Sequence, residues 1–164
     1  FTSGDYYIFS VSADPNTSPN PNTLWLRYDN ANGWNARSVG PTGTVSSANA
    51  GTGSNFSVGW HSVAMRWSSS DLSIFLDGIK KATVANPALP TTLASTAYIG
   101  IWANGSYGWL QSSIDAFHLS DRARTDEELA ARTITNGPLP IDLSTTYALG
   151  FDGTLQPSGY RLSV

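Results

Sequence analysis

The chain has no cysteine, which excludes a disulfide framework and a thiolate metal centre. It has no run of about 18 apolar residues, so nothing in it reads as a membrane-spanning helix. Charge is scarce, at 13% of 164 residues against about a quarter in an ordinary domain. The two lysines are adjacent (Lys80-Lys81) and the arginines are scattered. With a net charge of −3, nucleic acid is excluded as a partner, because phosphate binding needs clustered cations. Glutamate occurs only at Glu127 and Glu128, and histidine only at His61 and His118, neither in a nucleophile motif. General acid–base chemistry has little to draw on here.

What is present is aromatic and small-polar. Hydrophobic residues make up 40% of the chain, enough to build a core, and six of its residues are Trp. Ser, Thr, Asn and Gly carry the polarity, a composition suited to an extracellular, cell-surface or virion-surface protein. The opening at Phe1 rather than Met leads us to expect a processed product or a piece of something longer. Asn-x-Ser patterns at Asn16, Asn55 and Asn104 matter only for a chain secreted by a eukaryote.

Short strands separated by turns account for most of the sequence. DYYIFSVS (5–12) is rich in aromatic and β-branched residues, and the Pro/Asn-rich segment 13–23 is a loop. LWLRYD (24–29) alternates Leu24, Leu26 and Tyr28 with Trp25, Arg27 and Asp29. WNARSV follows the turn NANG, and 40–59 reads as a weak edge strand within a long loop. WHSVAMRW (60–67) puts Val63, Met65 and Trp67 on one face. LSIFLDGIKKATV (72–84) is a hairpin whose Asp77-Gly78 suits a two-residue turn at positive φ. AYIGIWA (97–103) and WLQSSIDAFHLS (109–120) read as strands. The period then changes. TDEELAAR (125–132) has Thr125 three residues before Glu128, a capping box, and acidic residues in the first turn. TTYALGFDGTL (145–155) is a last strand. The expectation is one all-β domain over 1–164: a two-sheet antiparallel jelly-roll sandwich with one short helix near 125–132.

Trp60-His61, Phe75 to Gly78, Ile99-Gly100, Ile114-Asp115 and Arg122 through Glu128 form an ordered set over roughly 56–132. In order and spacing the set resembles the laminin-G-like domains of the concanavalin A-like lectin/glucanase superfamily. Two departures stand out. That family opens with an FDG-bearing strand, whereas this chain begins at a later one. ALGFDGTL (148–155) at the far end looks like the missing strand. The C-terminal segment 138–164 can close this domain's own sheet, begin a further domain, or add to a neighbouring subunit, giving self-association by strand exchange.

The resemblance also implies candidate sites. Hydrolytic members carry a Glu-x-Asp-x-x-Glu strand, and hydrolysis needs two carboxylates about 5–9.5 Å apart. That motif is absent, so we expect no enzyme and no catalytic residues. By strand parity Asp115 points with Phe117 and Leu119 toward the core, where a carboxylate must be paired, hydrogen-bonded or metal-bound. In resembling proteins this Asp helps hold Ca²⁺ near the FDG strand, which makes Asp152 its partner here. The other reading has Asp115 capping backbone N–H groups or pairing with Arg122 or Arg124. The candidate ligand surface is aromatic residues at turns: Trp102, Asn104, Tyr107 and Trp109 around one, Asn32 and Trp34 around another. Core filling is the competing role for each Trp. The expected function is a non-catalytic module binding a carbohydrate or glycosylated surface. The alternative is a structural subunit of a filament, surface layer or virion, and a degenerate hydrolase comes third.

Overall fold

Leu24, Leu26 and Tyr28 on one strand, and Leu72, Ile74 and Leu76 on another, are the two apolar stripes that must meet to leave water, and they do. In a computed structural model of the chain, the described residues are 4–52, 57, 59–132, 145–150 and 160–163, the last two stretches by backbone alone. The strands are β1 (Asp5–Ser12), β2 (Thr23–Asp29), β3 (Gly33–Val39), β4 (Val45–Asn49), β5 (Val63–Trp67), β6 (Asp71–Leu76), β7 (Ile79–Ala85), β8 (Thr96–Ile99), β9 (Ala116–Ser120), β10 (Thr145–Gly150) and β11 (Tyr160–Ser163), with one helix, α1 (Asp126–Ala130), between β9 and β10.

A six-stranded sheet in the order β11-β8-β1-β2-β3-β4 packs against a three-stranded sheet β5-β6-β7, and β9 and β10 form a separate pair. Every named strand pairing is antiparallel. The protein is therefore the two-sheet antiparallel sandwich expected of its sequence. Tyr6, Phe9, Trp34, Ala36 and Ala48 join the two stripes in the core, and Val63, Met65 and Trp67 line its other wall as alternation requires.

β1 carries one residue too many for a regular ladder. Tyr7 pairs with Arg27 but Phe9 pairs with Leu26, which leaves Ile8 as a bulge. The bulge allows Tyr6 and Phe9, three residues apart, both to face the core. The Asp77-Gly78 turn has φ of 49° and 73°, as its sequence predicts. β8 ends at Ile99 rather than running to 103, because Gly100 takes φ 77° and the chain leaves the sheet there. β9 begins only at Ala116, so 109–115 is irregular rather than strand.

The helix is as its capping box predicts. Thr125 Oγ1 accepts from Glu128 N, and the Glu128 carboxylate accepts from Thr125 N. Arg66 docks the helix onto β5 and β6: it gives Nη1 to Asp126 Oδ1 at 2.6 Å and Nη2 to Asp71 Oδ2 at 2.6 Å, and lies over the Phe75 ring. Glu128 also takes Arg122, and these contacts bring its pKa down to about 2. The β10 backbone pairs within the chain, Gly150 opposite Ala116 and Thr145 opposite Ser120. The end of the 145–155 stretch lies outside the described residues.

Candidate functional site

The alternation that sends Leu24, Leu26 and Tyr28 inward sends Trp25, Arg27 and Asp29 to the outer face of the six-stranded sheet. Cross-strand register extends each of these into a row. One row runs Ser47, Arg37, Trp25, Ser10, Tyr98. The next runs Asn49, Asn35, Arg27, Tyr7, and a third Gly33, Asp29, Asp5.

The loop 100–110 is laid over the β1 side of this face. Gly100 N donates to Ile8 O (2.9 Å), Ser10 Oγ to Ile101 O (2.8 Å), Tyr7 N to Gly108 O (3.0 Å) and Leu110 N to Gly100 O (2.8 Å). Trp102 N donates to Tyr107 O across the loop's own turn. The loop thereby presses Trp102 between Tyr7 (centroids 4.9 Å) and Trp25 (5.1 Å), a second apolar cluster outside the sandwich core. Tyr107 stands edge-on to Tyr7 at 6.5 Å, at the cluster's open margin.

Arg27 holds the centre of the face. It donates to Asp5 (2.5 Å), Asp29 (2.9 Å), Tyr7 Oη (3.1 Å) and Asn35 Oδ1 (3.4 Å). Burial works against its charge, but Tyr7, Asp5 and Asp29 outweigh burial and hold its pKa above the usual value. Burial pushes the Tyr7 phenol up to about 12, with Arg27 partly opposing. Asp29 also accepts from Ala31 N, Asn32 N, Asn32 Nδ2 and Asn35 Nδ2. Burial opposes ionisation of Asp29, yet the Asn32 donors, Arg27 and Ala31 bring its pKa below the ordinary carboxylate value. Arg37 is different. Its Cζ lies 4.6 Å from the Trp25 ring centroid, and no described residue hydrogen-bonds or ion-pairs with its guanidinium.

The residues anticipated as a ligand surface separate into two groups. Tyr107 and Trp109 are exposed, at 46% and 38%. Asn104, half-buried, accepts from Ser106 N and Oγ and orders the tip of the loop. Trp102, expected at the surface, is fully buried because the loop folds back over its ring. Trp34, expected with Asn32 around the other turn, faces the sandwich core, where it meets Tyr28 at 5.5 Å. Asn32 is spent on the Asp29 clamp of the β2–β3 turn. Asp115 does not point inward, as parity predicts; it is exposed, because alternation starts only where β9 starts, one residue later. Asp152 lies outside the described residues. Among the described residues no three His, Asp or Glu side chains gather as a metal-ion cluster.

Sequence reading missed the organisers of the face: Asp5, Tyr7, Arg27 and Arg37. The signal was present in LWLRYD, whose second face pairs an aromatic with two charges, an odd set for a strand side turned to water.

His61 makes a separate arrangement. Its Nδ1 is 2.9 Å from Asp77 Oδ2, while Nε2 is 3.1 Å from Ser57 O and 3.4 Å from Ser57 Oγ. Serine, imidazole and carboxylate thus stand in nucleophile–base order. Nε2, however, lies closer to the carbonyl, an acceptor, than to the hydroxyl, so this geometry favours donation from the ring over proton removal from Oγ. Asp77 also accepts from Ser62 N (2.9 Å) and donates its own N–H to Ser62 O (2.8 Å). The group therefore clamps the β6–β7 turn to the start of β5.

No curated protein and no solved structure matches the chain. A family model does match, over residues 2–130, and its domains belong to the concanavalin A-like lectin/glucanases superfamily. With well over half of its length covered, the chain belongs to this laminin-G-like family.

Proposed function

We propose that the protein is a non-catalytic carbohydrate-binding module of an extracellular, cell-surface or particle-surface protein, and that the ligand lies on the outer face of the six-stranded sheet. The family supports ligand or carbohydrate binding by the sandwich. The observation that carries the placement is Tyr107. It is an exposed ring set against Tyr7 and Trp102 at the margin of a buried aromatic cluster, with Trp109 exposed two residues on. A sugar ring stacks its C–H face on such a surface at little entropic cost, because loop 100–110 is already fixed. The carboxylates Asp5, Asp29, Asp71, Asp126 and Glu128 are each engaged by an arginine, which supports binding rather than hydrolysis. Glycan-array screening followed by calorimetry tests the reading. Tyr107→Ala and Trp109→Ala should each weaken binding about tenfold or more without lowering the melting temperature. Saccharide affinity unaffected by both variants would sink it.

Calcium is part of the same proposal, with Asp115 and Asp152 as its carboxylates. The described residues supply one of them, and the β9–β10 register ends with Gly150 opposite Ala116, next to Asp115. A Ca²⁺-dependent rise in melting temperature that Asp115→Asn cancels supports the ion, and equal melting in EDTA and calcium removes it.

A further inference from the structure

Arg27 and Arg37 occupy the same sheet face, one strand and one row apart, in opposite circumstances. Arg27 is saturated by two carboxylates, a phenol and an amide. Among the described residues Arg37 has its guanidinium on the Trp25 ring and nothing else: its Nε is buried without a hydrogen-bond partner. A buried polar group left unsatisfied costs about 1–3 kcal/mol, more when charged, and folded proteins keep few of them. Burial, and then the positive charge of Arg27, both act against the charged form of Arg37. Tyr7 and Asp29 offset this only in part, and an arriving anion would offset it further.

The surroundings of Arg37 suit a ligand. Ser47 lies directly across from it on β4, and Asn49 sits across from Asn35 in the next row. Ala48, between them, is buried in the core, so Ser47 and Asn49 turn outward with Arg37. Among the described residues neither side chain has a hydrogen-bond partner. Asp29, whose backbone lies two rows from Arg37, roughly 13 Å along the strands, gives it a weaker favourable field, but Arg27 stands between them and takes the Asp29 carboxylate as its own partner. Trp25, Trp102, Tyr7 and Tyr107 form a continuous aromatic path from Arg37 to the exposed ring at the loop.

We propose that Arg37, Ser47 and Asn49 form a subsite for the acidic group of an acidic saccharide, either a carboxylate or a sulfate ester. The guanidinium fork takes two oxygens of the anion, Trp25 fixes its plane, and the Ser47 hydroxyl and Asn49 amide take neighbouring sugar hydroxyls. The proposal rests on the carbohydrate reading of this face and deepens it. One unpaired arginine beside one saturated arginine is too little charge for a polynucleotide.

The test compares three oligosaccharides of one backbone (neutral, carboxylated and sulfated) by calorimetry, on the wild type, Arg37→Gln, Arg37→Lys and Tyr107→Ala. The Arg37 Nε–H resonance is followed in the wild type with the same ligands. An acidic member should bind about tenfold or more tighter than the neutral one and shift that resonance. Arg37→Gln should abolish the preference and leave neutral binding intact. Arg37→Lys should restore only part of it, because a point charge does not replace the fork. Tyr107→Ala should weaken all three ligands alike. Equal binding of neutral and acidic ligands, or a preference that survives Arg37→Gln, overturns the subsite and leaves the carbohydrate reading standing. No binding by any saccharide overturns both.

Discussion

The backbone of Gly108 lies against the ring of Tyr7 so closely that an added Cβ would stand 2.5 Å from Tyr7 Cδ2 and 2.7 Å from Cε2. Gly108 also has φ 73°, a conformation side chains resist. Gly108→Ala should cost about 1–3 kcal/mol and lift loop 100–110 from the sheet. Gly51→Ala is the control: it shares a positive φ, 88°, but meets nothing within 4 Å, so it should cost only the backbone strain, about 1 kcal/mol. Urea unfolding of both variants separates the ring collision from the strain. If Gly108→Ala destabilises no more than Gly51→Ala, the loop is not pressed on Tyr7.

Tyr7 predicts an alkaline transition. Its folded pKa, about 12, lies above the ordinary 10.0, so the neutral phenol is the form the fold prefers. That contribution is complete below about pH 10 and is lost as pH rises through 12. The loss amounts to roughly 2–3 kcal/mol. In Tyr7→Phe this component of the stability loss between pH 10 and 12 should vanish, as urea midpoints across that range will show.

Asp29 predicts the opposite sign in acid. Its folded pKa is below 3.8, so its contribution is complete above that pH and is lost as pH falls through the folded value. Asp29→Asn should cost about 2–4 kcal/mol at neutral pH, since it leaves Arg27 and the β2–β3 turn donors short of an acceptor. The difference between variant and wild type should shrink near pH 3 in chemical denaturation.

Thr125→Ala removes the cap of α1 and should cost about 1 kcal/mol. The helix is docked by Arg66 on the three-stranded sheet, away from the proposed ligand face, so saccharide affinity should not change. A matched loss of affinity would place the ligand elsewhere.

Much of this fold is legible in the sequence because it rests on local chemistry. Alternation separates Leu24 from Trp25, Asp77-Gly78 dictates its turn, and Thr125 with Glu128 caps a helix. The site is less legible because it depends on which way a loop folds. In AYIGIWANGSYGW the same aromatics could face water or the sheet. The hydrogen bonds of Gly100, Ile101 and Gly108 to β1 decide it, burying Trp102 and leaving Tyr107 out. Trp34 was hidden by another ambiguity, since a residue beside a turn can still have strand parity and enter the core. The isolation of Arg37 follows from what neighbouring strands fail to supply, and no local pattern records it.

The surplus residue of β1 has a further consequence. The backbone of loop 100–110 is tied to the backbone of that strand at the carbonyl of Ile8 and the amide of Tyr7, beside the Ser10 hydroxyl bond to Ile101 O. Deleting Ile8 would restore an unbroken ladder with Tyr6 and Tyr7 on the sides they now occupy, at the loss of the Ile8 side chain packed at the margin of the core. Both tethers would then fall on one residue, and the mouth of the loop would narrow by one step of the chain. The extra amino acid acts as a spacer: it sets the gauge of loop 100–110, and one residue gained or lost there would shift Tyr107 and Trp109 along the sheet face while sparing the strand order.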